Sequence, residues 1–374
     1  MGKLIRLGVL FGGRSGEHAV SLVSARSVLE TLDRTKYQIT QIGITEDGDW
    51  LVGEDVLSAL MEKDYQRLYP AAMLPVPSRP DLYSFKQVDG KDILEAFAEL
   101  DVIFPVLHGT FGEDGTMQGL FELTDLAYVG AGVLGSSVGM DKALFKDVMT
   151  ANNIPVTPSI LLHKSELENM GSVIERVAEF GQFPLFIKPA NMGSSVGVHK
   201  CSDIEEAAAG ILDAARYDRR ILVEKGINAR EIEVSVLGNQ DPKASVPGEI
   251  RPSAEFYSYE AKYHDDSSEL IIPAKISPEL TRAFKDIAVR AFLAIDCAGM
   301  ARVDFLLDKD TDEIFLNEVN TIPGFTPISM YPKLWEASGL AYRELIDKLI
   351  QLALERKQEK DQITRKYDFK EKSQ

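Results

Sequence analysis

Short apolar runs alternate with longer segments of helical periodicity along most of the chain, the pattern of layered α/β structure. Leu7 to Phe11 predicts a buried strand, GGRSGEH the turn after it, and Ala19 to Leu32 a helix. Asp101 to Leu107 (DVIFPVL) predicts another strand, followed by the Gly-rich loop HGTFGEDG. The four prolines within Pro70 to Pro80 predict an irregular surface connection. From about Gly130 the chain offers a helix over Asp141 to Asn152, a strand over Leu185 to Lys188, the loop PANMGSSVG and a strand over Ile221 to Glu224. From about Asn228 come the alternating strand REIEVSVL and then MARVDFLL and EIFLNEVN. Tyr342 to Lys357 places Leu345, Ile346, Leu349, Ile350, Leu352 and Ala353 on one helical face. Beyond it a charged tail is expected to fray into solvent. The expected division is 1–130, 131–227 and 228–357, with 358–374 as tail.

Composition narrows the function classes. The 374 residues carry 41 Lys and Arg against 58 Asp and Glu, a net charge of −17. Phosphate backbones and anionic membrane faces attract basic surfaces, so neither nucleic acid nor membrane is expected as a partner. A nucleotide site needs only a few placed cations and stays open. Cys201 and Cys297 are too few for a disulfide framework and read as small buried hydrophobes. No apolar stretch reaches the ~18 residues that cross a bilayer. The first residues, MGKLIRLGVLFGG, read as a strand entering a turn rather than a signal peptide, and a cytoplasmic protein is expected.

Four constellations carry possible chemistry. Side chains at i and i+2 of a strand share a face, so Arg302 pairs with Asp304 and Glu318 with Asn320. Two carboxylates and an amide oxygen suit Mg²⁺; a structural ion pair of Arg302 with one acid is the plain alternative. Lys188 before NMGSSVG presents an ammonium and backbone N–H groups to phosphate, although such a loop also serves as a simple turn. Lys142 in GMDK reaches toward the same anion. In ILVEKGINAREIEV, Glu224 to Ile227 reads as an adenine-facing connector with Glu231 on ribose hydroxyls, or else as exposed acids beside a turn. FGGRSGEHAVS lacks the G-x-G-x-x-G fingerprint, which disfavours a Rossmann cofactor site, and its Glu17 holds either a ligand ammonium or a helix dipole. His18 and His108 read as hydrogen-bonded structural groups.

FGGRSGEHAVS, HGTFGEDGTMQG, GMDK, FIKPANMGSSVG, EAKY, ARVDFLL and LNEVNTIPGFTPISMYPKLW occur in this order and closely resemble the D-alanine–D-alanine ligase family of the ATP-grasp superfamily. The resemblance runs from Lys3 to Arg356. It implies α/β and α+β structure: a three-domain ATP-grasp fold with an N-terminal doubly wound α/β domain. It implies that Lys142, Lys188 and the Ser195 backbone hold ATP phosphates, and that Glu224, Lys225, Ile227 and Glu231 line the adenosine site. Asp304, Glu318 and Asn320 would bind two Mg²⁺ ions, or Mn²⁺ in their place, with Arg302 over the transferring phosphoryl group. Glu17 would hold the first D-alanine's ammonium, Ser329 and the Gly324 backbone the second D-alanine's carboxylate, and Tyr263 would connect through Ser194 to Glu17. His108 and Glu113 would support the substrates. The implied reaction joins two D-alanines through an acyl phosphate for peptidoglycan precursor synthesis, in a homodimer. His264, Asp265, Pro327 and the tail are departures that touch substrate detail only. Tyr263 implies a peptide rather than an ester product. A ligase for another amino or hydroxy acid, or a non-catalytic nucleotide binder, are the rival readings.

Overall fold

The computed structural model describes residues 3–77, 79, 81–193, 195–251, 269–326 and 328–364. Among them the strands form three sheets. The first contains β1 (Ile5–Gly12), β2 (Tyr37–Ile44), β3 (Trp50–Gly53), β4 (Leu68–Met73), β5 (Asp81–Val88), β6 (Lys91–Glu99), β7 (Val102–Leu107) and β8 (Ala127–Tyr128). Its order is β6-β5-β4-β3-β2-β1-β7-β8. β2, β1, β7 and β8 run parallel, and β3 to β6 extend the sheet antiparallel.

The apolar run of β1 is continuous because both of its faces are covered. Leu7, Val9 and Phe11 pack with Ala25 and Val28 of α1 (His18–Thr31). Leu10 faces the other way, into a core with Ile42, Ile103 and Phe121 of α3 (Thr116–Thr124), α2 being Val56–Glu62. Helices on both faces of a parallel sheet are the doubly wound arrangement expected from sequence.

The second sheet joins β9 (Ser159–His163), β10 (Leu185–Pro189), β11 (His199–Cys201) and β12 (Arg220–Lys225) in the order β11-β10-β12-β9. One face, with Leu162, Ile187, Ile221 and Val223, packs on Val177 of α6 (Met170–Phe180) and Ile211 of α7 (Ile204–Ala214). The third sheet contains β13 (Ala229–Gly238), β14 (Lys243–Ala244), β15 (Gly248–Arg251), β16 (Glu269–Ile271), β17 (Gly299–Asp308) and β18 (Ile314–Asn320). Ile232, Val234, Val303, Phe305 and Leu316 bury one face against Phe284 and Phe292 of α8 (Pro278–Ala294). Val138 of α4 (Val133–Met140) and Phe145 of α5 (Lys142–Ala151) join that same core. α9 (Met330–Ala337) follows, and α10 (Tyr342–Asp361) returns to the first sheet, where Leu345 and Leu349 pack with Leu7 and Val9.

Two expectations are corrected. Pro70 is not in an irregular connection but in β4, opposite Leu51; pairing with β5 begins only at Ala71, so the missing N–H falls at the end of that ladder. The tail does not begin at Gln358, because α10 continues to Asp361. Lys357 pairs with Asp125 and Lys360 with Glu122, at the end of α3, which anchors the extra turn. Cys201 and Cys297 are buried free thiols, as read from sequence; burial pushes them up to about 11 and about 12.

Candidate active site

Strand alternation builds the centre of the site. The apolar residues of β13, β17 and β18 face α8, which turns the intervening residues to the opposite face. Register then aligns Glu233, Asp304 and Glu318 in one row across three strands, and Ser235, Arg302 and Asn320 in the next. The Arg302 guanidinium donates to both Asp304 oxygens, Nε to Oδ1 at 2.7 Å and Nη2 to Oδ2 at 2.6 Å, and its Nε lies 2.9 Å from Glu233 Oε2. Asn320 Nδ2 donates to Asp304 Oδ2 at 2.9 Å. Burial opposes the charge on Arg302 most strongly, yet Asp304 and Glu233 outweigh it and hold its pKa well above the ordinary value. The ion-pair reading of Arg302 is thus realised. It leaves three carboxylates in a row beside one guanidinium. Glu233 went unrecognised in the sequence, although its i+2 spacing from Glu231 in an alternating strand was the available signal.

Among the described residues no cluster of three or more His, Cys, Asp or Glu is set to hold a metal ion by itself. The donor set nonetheless fits Mg²⁺, which takes few protein oxygens and completes its shell with water and phosphate. Asp304 and Glu318 lie directly opposite one another, and Asn320, whose nitrogen faces Asp304, has its amide oxygen for a third ligand. The chemistry is that of a hard-oxygen site.

A second cluster sits on the polar face of the second sheet. Lys188 and Glu224 occupy the same side of β10 and β12, and Lys188 Nζ donates to Glu224 Oε2 at 2.7 Å. The exposed-acid alternative fails here, because Glu224 is only 3% exposed. Its other oxygen, Oε1, lies 3.1 Å from Nζ of Lys146, a buried α5 residue not singled out from the sequence. Lys146 also donates to the Thr157 carbonyl at 3.1 Å and to the Thr157 hydroxyl. Desolvation alone would raise the Glu224 carboxyl, but Lys188 and Lys146 hold it below the usual range. Burial in turn lowers Lys146. One helical turn earlier, Lys142 Nζ donates to the Met192 carbonyl at 2.7 Å and lies 4.0 Å from Glu318 Oε2. α5 therefore ties the phosphate-type loop of the second sheet to the carboxylate row of the third. Asp141 fixes the start of that helix by accepting from Leu144 N–H at 2.9 Å while pairing with Arg220.

Ser195 adopts a left-handed φ of 58° in the same loop. Glu231 lies on β13, on the face of Glu233, and Ile227 is half-buried in the link between β12 and β13. Lys225 points away from Glu224: its ammonium sits 5.5 Å from the Phe180 ring centroid, and its N–H donates to the Pro158 carbonyl at 3.0 Å. An adenosine contact from Lys225 would therefore come from its backbone.

The third group comes from the first sheet. Glu17, at the N-terminus of α1, is 9% exposed. A Cβ on Gly109 would come within 2.5 Å of Glu17 Oε2, and one on Gly193 within 3.0 Å, so this carboxylate lies between HGTFGEDG and the phosphate-type loop. Gly109 also needs its φ of +76°, which favours glycine. His108 Nδ1 donates to the Ile322 carbonyl at 3.1 Å, and Ser24 Oγ, accepting from Phe325 N–H, donates to His108 Nε2 at 3.1 Å. Burial lowers the pKa of the ring more than Glu17 and the Ile322 contact raise it. Glu113 accepts from Gly109 N–H at 2.7 Å and Ile322 N–H at 3.3 Å. Both residues link the first sheet to the loop that follows β18. His18 is held locally, its Nδ1 donating to the Gly13 carbonyl at 2.9 Å.

Desolvation, reinforced by Glu17, pushes the Glu113 carboxyl up to about 8 against the pull of the two N–H donors. The folded state thus holds a proton that the unfolded chain releases near 4.5. The stability from this proton is complete below 4.5 and is lost as pH rises through about 8. Glu113→Gln, which mimics the protonated form, is expected to flatten the decline of unfolding free energy over that window. Urea titrations at acidic, neutral and alkaline pH check this; an unchanged slope would refute it.

Gly324 and Ser329 are adjacent, a Cβ on Gly324 falling 2.8 Å from Ser329 Oγ. Ser329 precedes α9 but does not cap it; its hydroxyl turns back to Thr326, accepting from the N–H at 3.0 Å and meeting Oγ1 at 2.7 Å. Ser194 and Tyr263 lie outside the described residues.

Comparison with known proteins agrees with this architecture. Residues 6–131 match the family model described as D-ala D-ala ligase N-terminus, and residues 148–351 the one described as D-ala D-ala ligase C-terminus. A D-alanine–D-alanine ligase of Natranaerobius thermophilus is 48% identical over 96% of this chain and 97% of its own length. One of Heliobacterium modesticaldum is 49% identical over 95% and 96%. Among solved structures, the Coxiella burnetii D-alanine–D-alanine ligase superposes with a TM-score of 0.81 at 36% identity, covering 96% of this chain and 97% of that one. The VanG D-Ala:D-Ser ligase of Enterococcus faecalis gives 0.83 at 34%, covering 94% and 100%. Matched at both ends by the family models and along nearly its whole length by these relatives, the chain belongs to the D-alanine–D-alanine ligase family, an ATP-grasp fold.

Proposed function

We propose that the protein joins two D-alanines to D-alanyl-D-alanine at the expense of ATP, releasing ADP and phosphate. The observation that carries this reading is the position of Lys142, which contacts the phosphate-type loop at Met192 and reaches the carboxylate row at Glu318. Cations for a polyphosphate and oxygens for a divalent metal thereby flank one space. Lys142, Lys188 and the Ser195 backbone bind the phosphates; Glu224, the Lys225 backbone, Ile227 and Glu231 line the adenosine. Asp304, Glu318 and Asn320 hold two Mg²⁺, or Mn²⁺, which supply positive charge at the γ-phosphate when bound.

A carboxylate resists attack by an amine, so the first D-alanine's carboxylate oxygen takes the γ-phosphoryl group from ATP and ADP leaves. Arg302 offsets charge on the phosphoryl oxygens during transfer. Glu17 orients the first ammonium, with His108 and Glu113 fixing the loop on which that orientation depends. Ser329 and the Gly324 N–H hold the second carboxylate, so that the neutral amine attacks the acyl carbon and phosphate departs with its bonding electrons. The proton lost from the amine nitrogen goes to the departing phosphate, which leaves as hydrogen phosphate. Arg302 and the Gly324 N–H stabilise the tetrahedral oxyanion.

We place the enzyme in the cytoplasm, where its ATP is, as a homodimer supplying peptidoglycan precursors. Its three domains are taken as 1–130, 131–227 and 228–357, α4 and α5 lending apolar faces to the third. The net charge of −17 disfavours nucleic acid and anionic membranes, and no helix among the described residues is long and apolar enough to cross a membrane. The test is phosphate release from ATP and Mg²⁺ with D-alanine, D-serine or D-lactate as second substrate. The expected result is D-alanine-dependent release and a dipeptide by mass spectrometry. Release without D-alanine, or mainly the D-lactate ester at neutral pH, overturns the assignment.

A further inference from the structure

Ser27 and Tyr342 have no part in the site described above, yet both reach the loop that follows β18. α1 starts just after Glu17 and carries Ser24 two helical turns farther on, so the two share a helix face. Ser24 and Ser27 are buried, which costs free energy unless their hydroxyls find partners. Ser24 Oγ accepts from Phe325 N–H at 3.4 Å. Ser27 Oγ lies 3.0 Å from the Tyr342 hydroxyl, and that hydroxyl donates to the Phe325 carbonyl at 2.9 Å. A phenol has one proton to give, so Ser27 is the donor to Tyr342. Burial pushes the Tyr342 phenol up to about 12, which keeps that proton in place.

Both backbone polar groups of Phe325 therefore end on side chains of α1 and α10. The Phe325 ring is fully buried and meets Phe104 edge-on, with centroids 5.7 Å apart. Three residues earlier, Ile322 is held in the same way, its N–H by Glu113 and its carbonyl by His108. Pro323 and Gly324 alone lie between these two clamped residues. Over so short a span, the direction of the Gly324 N–H follows from where the clamps stand.

We propose that Tyr342 is a positioning residue for the second amino acid: it fixes the Phe325 carbonyl, is itself fixed by Ser27, and thereby aims the Gly324 N–H at the substrate. This rests on the ligation reading, which gives Gly324 its role, and adds what holds that N–H in place. α1 then sets the spacing of the two amino acids. Glu17 at its start orients the first, and Ser24 and Ser27, beginning about 10 Å along the axis, hold the loop that receives the second. The Tyr342 hydroxyl bonds to Ser27 and Phe325 and not to the groups assigned to ATP, so its removal should register at one substrate only.

The test is steady-state ligation by the full chain with ATP, Mg²⁺ and D-alanine, the two D-alanine KM values being separated from the curvature of the saturation plot. Tyr342→Phe keeps the ring and removes the hydroxyl. It is expected to raise the KM for the second D-alanine about 10-fold, the scale of one lost hydrogen bond, with the KM values for ATP and the first D-alanine unchanged. A merely structural loss of folded enzyme lowers the apparent kcat and moves no KM. Ile346→Val, in the core face of the same helix, supplies that control: a lower melting midpoint with all three KM values unchanged. Ser27→Ala is expected to raise the KM for the second D-alanine by less than Tyr342→Phe, and to add nothing in the Tyr342→Phe background. It also decides the matter by the same KM comparison where Tyr342→Phe does not fold. An unchanged KM for the second D-alanine, a rise shared by all three KM values, or a Ser27→Ala effect that persists in full without the Tyr342 hydroxyl overturns the inference and leaves the ligase reading standing. A wild type that forms no dipeptide overturns both.

Discussion

Arg302→Ala is expected to lower kcat by about 10³-fold, the scale of losing a preorganised donor to developing negative charge. The guanidinium is held in a forked bond to Asp304 and contacts Glu233, so its position is set before substrate arrives. Its effect should fall on kcat more than on the KM for ATP, because the phosphoryl charge it offsets is greatest during transfer. Removing it also leaves Glu233, Asp304 and Glu318 aligned without their cation, at a cost of about 3 kcal/mol. Arg302→Lys keeps a charge but loses the planar fork, and should recover stability while recovering little rate. Coupled ADP release and thermal melts of both variants check the prediction. A slow Arg302→Ala enzyme whose kcat is fully restored by Lys would show that charge alone matters there. Unchanged turnover in Arg302→Ala would refute the mechanism.

Lys146→Met is expected to destabilise the fold by about 3 kcal/mol and to raise the KM for ATP about 10-fold, with kcat much less affected. Glu224 is almost fully enclosed and has two cations, one on each oxygen. Without Lys146, the carboxylate keeps only Lys188, and that ammonium is drawn more strongly to Glu224 and away from an incoming phosphate. The pH dependence carries the sign. A carboxyl held below its unfolded value contributes stability above that value, and the contribution is lost as pH falls through the folded pKa. With Lys146 gone the folded pKa is less depressed, so acid unfolding should begin at a higher pH. Lys146→Arg, which retains a cation, is expected to restore much of the acid limb. An unmoved acid limb in Lys146→Met would mean that Lys188 alone sets the Glu224 charge.

Several parts of this architecture were legible in local pattern. The unbroken apolar run of β1 foretold a strand covered on both faces, and the alternation in MARVDFLL foretold one apolar and one charged face. The helix of Tyr342 onward was plain from its spacing. Its end was not, because Lys360 read as tail until Glu122 stands opposite it, with Lys357 paired to Asp125 just before. The β5–β6 hairpin escaped notice because its apolar residues keep no single period and stay exposed, so burial leaves no mark on them.

The candidate site divides the same way. Arg302, Asp304, Glu318 and Asn320 announce themselves because charged and amide groups interrupt apolar strands, and desolvation makes such interruptions costly unless compensated. Lys146 gave no such sign: a lysine on an amphipathic helix looks solvent-facing, and only the approach of Glu224 and Thr157 makes it a buried partner. Lys225 shows the converse, since strand parity sends it to Phe180, on the face opposite Glu224. The sequence by itself determined the layered α/β class, the acidic balance and the residue types of the chemistry, because these depend on period and composition. Tertiary structure alone decided which carboxylates stand in register, which cation holds which acid, that Lys142 reaches both the Met192 carbonyl and Glu318, and that Glu17 lies against Gly109 and Gly193. Those are contacts between residues far apart in the chain, set by strand register and helix packing rather than by any local period.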